Sequence, residues 1–268
     1  MSEAASEAAG RIRSRTADGV CRIVIDHPRR RNAMSFSMWG ALADAVEAAN
    51  ASPDARVLVL SGAGEAAFVS GADISEFGAA RSSPEAVARY EIDVTRAQVA
   101  LMSSPRPTLA AIRGVCMGGG MTLALACDLR YAAADARFRM PAGRLGVGYE
   151  RGGLKRFADM LGPARTADLF LTARIFDGRE AARIGFVQEV FEAADFADAV
   201  EERIAQIAAN APLTLSAVKA TLRHLTGEAG APDAAAVDAA VQACFDSADY
   251  AEGRAAFAAR RPPRFSGV

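Results

Sequence analysis

Between Val20 and Met140 the 268-residue chain alternates short apolar runs with helical patterns, and this alternation constrains the fold more than any other feature. Val20–Ile25 alternates as a strand does. His27-Pro28, three arginines and Asn32 follow, which is loop chemistry. Met38, Leu42, Ala45, Val46 and Ala49 recur at helical spacing, with Ser35 or Ser37 as N-cap. Arg56–Leu60 is a short buried strand, and Phe68-Val69 is a strand end running into Ser70-Gly71-Ala72-Asp73. Ser82-Ser83-Pro84-Glu85 reads as a capping box that opens a helix to about Met102. Leu109–Val115 reads as a strand, followed by Gly118-Gly119-Gly120 and a helix to about Ala126. Leu129–Ala132 and Ala136–Met140 are further strands. This order predicts an α/β fold with crossover connections. After residue 153 helices dominate, over 194–210, 212–226, 233–246 and 249–259, with one short strand at Phe186–Phe191.

Composition narrows the chemistry. Hydrophobic residues make up 51% and the formal net charge is −1, which excludes a strongly basic nucleic-acid footprint. No stretch is long and apolar enough to span a membrane. The N-terminus, MSEAASEAAGR, carries acids and no apolar core of a secretory signal, and residues 1–12 are expected to be a disordered tail. Cys21, Cys116, Cys127 and Cys244 lie far apart with no metal-type spacing, so no metal site is expected and the thiols read as those of a reduced, cytoplasmic protein. The twenty-nine arginines read as a compositional bias. The chain has only two histidines and two lysines. His27 reads as a surface or capping residue, His224 as structural. Carboxylates, hydroxyls or backbone amides must therefore carry much of any catalysis.

Two segments share one design, an apolar strand that ends in glycine and small residues and then opens a helix. They are Phe68–Ile74 and Ile112–Met121. Glycine admits close approach to the backbone, and free N–H groups at a helix start attract negative charge. Two such donors converging on one point make an oxyanion hole. The alternative is that the triple glycine is only a tight strand-to-helix crossing. Neither segment is a dinucleotide fingerprint or a P-loop.

FVSGADISEF and AAIRGVCMGGGMTLALACDLRYA resemble the two signatures of the crotonase (enoyl-CoA hydratase/isomerase) superfamily. RNAMSFSMWGAL, PARTADLFLTARIFDGREAARIGFVQEVF and DSADYAEGRAAFAARRPPRF resemble its opening, middle and C-terminal segments, in order, over roughly residues 20–265. The resemblance implies a crotonase-type spiral of ββα units over 13–205 and a C-terminal helical trimerisation region over 206–268. It implies a homotrimer or a hexamer of paired trimers. It also implies an acyl-CoA substrate, with CoA entering as part of that substrate and no separate cofactor. By the same resemblance the backbone N–H groups of Ala72 and Gly119 form the oxyanion hole. Ala72, Asp73, Ile74 and Ser75 line the CoA path, and Arg31 and Ala33 lie at its nucleotide end.

The departures from the family pattern matter more. Hydratases of this family use two glutamates, and here those positions are Thr122 and Ala142. Thr122 can hydrogen-bond substrate or water but is no general base near neutral pH. Glu150 lies where the family's dienoyl-CoA isomerases carry a catalytic aspartate, and Tyr149 lies beside it. The expected roles are Glu150 as acid/base and Tyr149 as its hydrogen-bonding partner, unless Glu150 is tied up by Arg144 or Arg151. The expected activity is double-bond isomerisation or a related proton transfer. The alternatives are an acyl-CoA-binding paralogue without turnover, or a thioester hydrolase or decarboxylase. Asp128, after Cys127, is expected to be structural.

Overall fold

The computed structural model describes residues 10–76 and 83–268. The chain forms a spiral in which each turn contributes one strand to each of two sheets and then a helix. The strands are β1 (Arg11–Ala17), β2 (Val20–Asp26), β3 (Val57–Gly62), β4 (Ala67–Val69), β5 (Thr108–Ile112), β6 (Val115–Met117), β7 (Leu129–Ala133), β8 (Arg137–Arg139), β9 (Phe176–Asp177) and β10 (Glu189–Phe191). Among the described residues one sheet runs β1-β2-β3-β5-β7-β10 and the other β4-β6-β8-β9. All neighbours are parallel except β1 with β2 and β8 with β9. Helix α1 (Phe36–Ala51) follows β2, α2 (Pro84–Met102) follows β4, and α3 (Gly119–Ala126) follows β6. The repeat β3-β4-α2, β5-β6-α3, β7-β8 is the ββα spiral that the resemblance implied. Parallel neighbours require such crossovers, and the apolar runs of β3 and β5 fit strands covered on both faces.

Several boundaries differ from expectation. Arg11 and Ile12, assigned above to the tail, are in β1, paired with Asp26 and Ile25. Alternation of arginine with smaller residues over 11–17 is a weak strand signal, because its side chains are mostly exposed. The rest of the expected tail, residues 1–9, lies outside the described residues, as does Ser82. The run Leu109–Val115 is two strands, because the chain turns at Arg113–Gly114 and passes from one sheet to the other. Ser83 caps α2, its hydroxyl accepting from Ala86 N at 3.2 Å.

Helix α4 (Ala142–Leu145) is followed by α5 (Arg151–Leu161), α6 (Pro163–Thr172), α7 (Gly178–Arg183) and α8 (Phe196–Ala208). The boundary expected at 205/206 falls inside α8. The chain breaks instead before Pro212, at the start of α9 (Pro212–Leu225), which is followed by α10 (Ala234–Phe245) and α11 (Ala248–Ala258). Lys219 ties α9 to the core. Its ammonium lies 2.6 Å from the Asp128 carboxylate and donates to Arg106 O at 2.7 Å. Asp128 also accepts from the N–H and hydroxyl of Thr108 at 2.7 and 2.9 Å, so in the structure its bonds are to the fold.

Arg130, 2% exposed, holds the far end of α3. Its guanidinium donates to Cys127 O at 2.7 Å and Phe186 O at 2.6 Å. A cation at carbonyls left open by a helix C-terminus is favourable. Burial nevertheless pulls its pKa down to about 10, and Cys127 and Asp128 oppose that shift. Replacing Arg130 by Met leaves buried carbonyls without donors. The expected loss is roughly 2–4 kcal/mol, read as a lower urea midpoint at unchanged slope.

Candidate active site

The first glycine turn is positioned by the loop between β2 and α1. Arg31 and Asn32 both adopt left-handed backbone there, at φ 51° and 55°. Asn32 is buried and makes that conformation hold. Its amide donates to Ala63 O at 3.0 Å and Ala67 O at 2.7 Å, while its Oδ1 accepts from His27 N at 3.0 Å. His27 is 7% exposed rather than on the surface, and its Nδ1 lies 3.0 Å from Ala33 O. A carbonyl only accepts, so Nδ1 carries the proton. The loop is thereby fastened to both ends of the β3–β4 connection.

Met34 then pairs with Ala72 as a parallel bridge. Met34 N donates to Gly71 O and Asp73 N donates to Met34 O, both at 2.8 Å. Successive peptide groups of an extended chain point to opposite sides, so the Ala72 N–H faces away from Met34. Outside regular helices and strands it has no backbone acceptor among the described residues.

The second turn lies beside the first because β4 and β6 are parallel neighbours, Ala67 against Val115 and Val69 against Cys116. Gly118 sits at φ 50°, ψ −115°, a conformation open to glycine, and its N–H donates to Arg139 O at 3.0 Å. Gly120 must be glycine for another reason, since a Cβ there would collide with the carbonyl oxygen of Val69. Gly119 opens α3, so its N–H has no partner within the helix. A Cβ on Gly119 would stand 3.7 Å from Ala72 N and 3.6 Å from the Trp39 ring. The Cβ position of Gly119 thus lies beside Ala72 N, and glycine at 119 keeps that space open. Two such N–H groups can stabilise an oxyanion.

Thr122 and Ala142, where the resemblance puts the hydratase glutamates, carry no charge. Thr122 Oγ1 lies 2.6 Å from the Tyr149 hydroxyl and 3.3 Å from Gly118 O. When Thr122 donates to that carbonyl, Tyr149 donates to Thr122. Tyr149 is wedged among aromatic rings, edge-on to Phe170 at 4.8 Å and to Phe157 at 6.4 Å. Burial raises its pKa above the ordinary tyrosine value, against the lowering effects of the Thr122 bond and Arg156. The phenol is a donor at neutral pH, not a base. Ala142 begins α4, and the neighbouring Pro141 ring stands 3.7 Å from the Cβ position of Gly118.

Glu150 is exposed at the N-cap of α5. Among the described residues it forms an ion pair with neither Arg144 nor Arg151. Its field reaches Tyr149, whose pKa it helps to raise. Asp73 is buried. Its Oδ1 accepts from the Ser75 N–H at 3.0 Å and the Ser75 hydroxyl at 2.7 Å, which makes it a local cap. Burial raises the Asp73 pKa, but those two bonds, with Arg30 and His27 nearby, hold it below the usual carboxylate value. Ile74 and Ser75 are exposed on the rim, and Arg31 is exposed on the adjoining loop.

Three features escaped the sequence reading. Ser35, one of the two expected N-caps of α1, stands at the N-cap position without a side-chain capping bond, and Glu76, forty residues on, accepts from Phe36 N at 2.7 Å. Trp39 borders the space at Gly119, and its buried indole N–H has no partner. Thr122 and Tyr149 are bonded to one another. No local pattern reports contacts between residues so far apart, although the SGADI-type run that carries Glu76 was visible. Cys116, fully buried behind the triple glycine, is no nucleophile, since burial pushes its thiol well above the ordinary value. No group of three metal-binding side chains occurs among the described residues. No helix there is long and apolar enough to cross a membrane.

The family model described as enoyl-CoA hydratase/isomerase matches residues 15–268. The peroxisomal Delta(3,5)-Delta(2,4)-dienoyl-CoA isomerase of Arabidopsis thaliana is 32% identical, over 95% of this chain and 95% of that protein. The crotonyl-CoA hydratase of Syntrophomonas wolfei is 30% identical, over 91% of this chain and 93% of its own length. A crystal structure of an enoyl-CoA hydratase/carnithine racemase from Magnetospirillum magneticum superposes with a TM-score of 0.90 at 34% identity, covering 96% of each chain. The chain belongs to the enoyl-CoA hydratase/isomerase family and is an acyl-CoA enzyme of that family.

Gly119→Ala places a methyl group beside Ala72 N while meeting only ordinary contacts. The expected result is unchanged circular dichroism with kcat/KM lower by about 10²–10³. Gly120→Ala, by contrast, is expected to disrupt folding.

Proposed function

We propose that this enzyme shifts a double bond of an unsaturated acyl-CoA by proton transfer through a thioester enolate, rather than adding water. The observation that carries this reading is the neutral pair at the site. Positions 122 and 142 offer no carboxylate, and the hydroxyl at 122 is bonded to a protonated phenol. Hydration needs a base to activate water, and neither group is one.

The N–H groups of Ala72 and Gly119 hold the thioester oxygen and acidify the adjacent carbon. Glu150 is the one carboxylate in the segment 141–153, and it removes a proton from that carbon of a β,γ-unsaturated thioester. The resulting conjugated enolate is stabilised at its oxygen. Glu150 returns the proton to the far end of the conjugated system, and the double bond moves. Atoms balance, and neither water nor a redox partner is consumed. Tyr149 hydrogen-bonds this carboxylate when its bond to Thr122 reverses, with Thr122 donating to the phenol oxygen and the phenol proton free for Glu150. Arg31 pairs with CoA phosphates, and Ala33 with Asp73, Ile74 and Ser75 lines the path of the nucleotide and pantetheine. No cofactor beyond the CoA of the substrate takes part. The dienoyl-CoA isomerase among the relatives supports this reading.

The enzyme is also a homotrimer, or a hexamer of paired trimers, built through its C-terminal helices. Supporting this, α9–α11 expose the large apolar side chains Leu225 (73%), Phe245 (56%) and Phe257 (88%). A cytoplasmic location accords with four free cysteines.

The exposure of Glu150 favours one competing reading, an acyl-CoA-binding protein without turnover. Glu150→Gln decides between them. With the substrate identified from a panel of enoyl and dienoyl thioesters by mass spectrometry, the variant is expected to lose at least ~10²-fold in kcat. Wild-type activity in that variant, or no turnover of any member of the panel by the native enzyme, overturns the proposal.

A further inference from the structure

Arg156 lies on the Tyr149 side of α5. A Cβ on Gly153 would touch the Tyr149 ring at 2.9 Å, and Phe157 is edge-on to that ring. Arg156 is three residues on from Gly153, hence on the same helical face. The interaction between Arg156 and Tyr149 is felt in the pKa of both groups.

This arginine is distinguished by what it lacks. Every other arginine among the described residues that is not exposed either forms an ion pair or donates to a backbone carbonyl. Arg22, Arg113, Arg174, Arg203 and Arg223 form ion pairs. Arg56, Arg106, Arg130 and Arg139 donate to carbonyls. Arg156 has neither, and holds only a 3.4 Å contact from Nη1 to the Gln98 side-chain oxygen on α2. The carboxylate whose field reaches it, Glu228, is already engaged by Arg223 at 3.2 Å. A partly desolvated guanidinium without an anion is costly, and its planar fork matches a carboxylate bidentately.

Gly119 and Thr122 share α3, Thr122 is bonded to the Tyr149 hydroxyl, and Arg156 lies on the face of α5 whose Gly153 packs against the Tyr149 ring. We propose that Arg156 receives a carboxylate at the far end of the acyl group, so that the preferred substrates are thioesters of dicarboxylic acids. The inference rests on the placement of the thioester oxygen at Ala72 and Gly119 argued above. Arg156 is then a specificity-determining residue that touches substrate away from the reacting atoms.

The test uses saturated thioesters, which bind without reacting. Calorimetry compares adipyl-CoA with hexanoyl-CoA, and glutaryl-CoA with valeryl-CoA, on the full chain. The expected result is at least ~10-fold tighter binding of the carboxylated member of one pair, the gain typical of a charge-assisted hydrogen bond. Arg156→Gln is expected to bring that ratio close to one, and Arg156→Lys to restore part of it. Equal affinities within both pairs, or a preference that survives Arg156→Gln, overturn this inference while leaving the enolate reading standing. Failure of every thioester to bind overturns both. If Arg156→Gln does not fold, the ratios measured on the native protein and on Arg156→Lys decide. A native preference that Lys leaves wholly intact would not need the guanidinium fork, and would count against it.

Discussion

The parallel pairing of β4 with β6 sets two glycine turns side by side, and the site depends on that one alignment. Among the described residues, each turn leaves one peptide N–H without a backbone acceptor outside regular helices and strands, for different reasons. At Ala72 the bridge to Met34 takes the flanking groups and turns the remaining N–H outward. At Gly119 the helix start leaves its first donors open. The buried Asn32, with its three bonds across the loop, fixes the first turn. Gly118 and Gly120 fix the second, the one by its backbone angles and the other by the closeness of Val69. In the proposed reaction, backbone donors fixed in this way need no reorganisation.

Around those donors the chemistry is set by neutrality. Thr122 and Tyr149 form a closed hydroxyl chain to Gly118 O, and burial keeps the phenol protonated. Such a wall can orient a substrate and exclude bulk water, but it cannot take a proton from water. The charged groups stand further out, Glu150 at the head of α5 and Arg156 on the face of α5 toward Tyr149. A carboxylate outside and a neutral wall inside suit a proton carried from one carbon to another.

The spiral was legible because its strands are apolar and its helices periodic. Val20–Ile25 and Met38–Ala49 appear in the fold nearly as the residues indicate. β1 was not legible, because an edge strand with exposed arginines lacks the apolar alternation that marks a buried one. The turn at Gly114 was hidden inside a continuous apolar run. In the site, the two glycine segments were visible as glycine followed by small residues. What joins them was not. Asn32, Glu76 and the Thr122–Tyr149 bond act over five to forty residues, and a side chain's distant partner leaves no periodic trace. Arg156 was indistinct among twenty-nine arginines until its lack of an anion set it apart.

The central claim is that the double bond moves without addition of water. Turnover of an unsaturated acyl-CoA in oxygen-18 water, followed by mass spectrometry of the thioester product, tests it directly. The account predicts a product of unchanged mass that carries no heavy oxygen and whose double bond has shifted position. A hydroxyacyl-CoA labelled with heavy oxygen as the main product would contradict it.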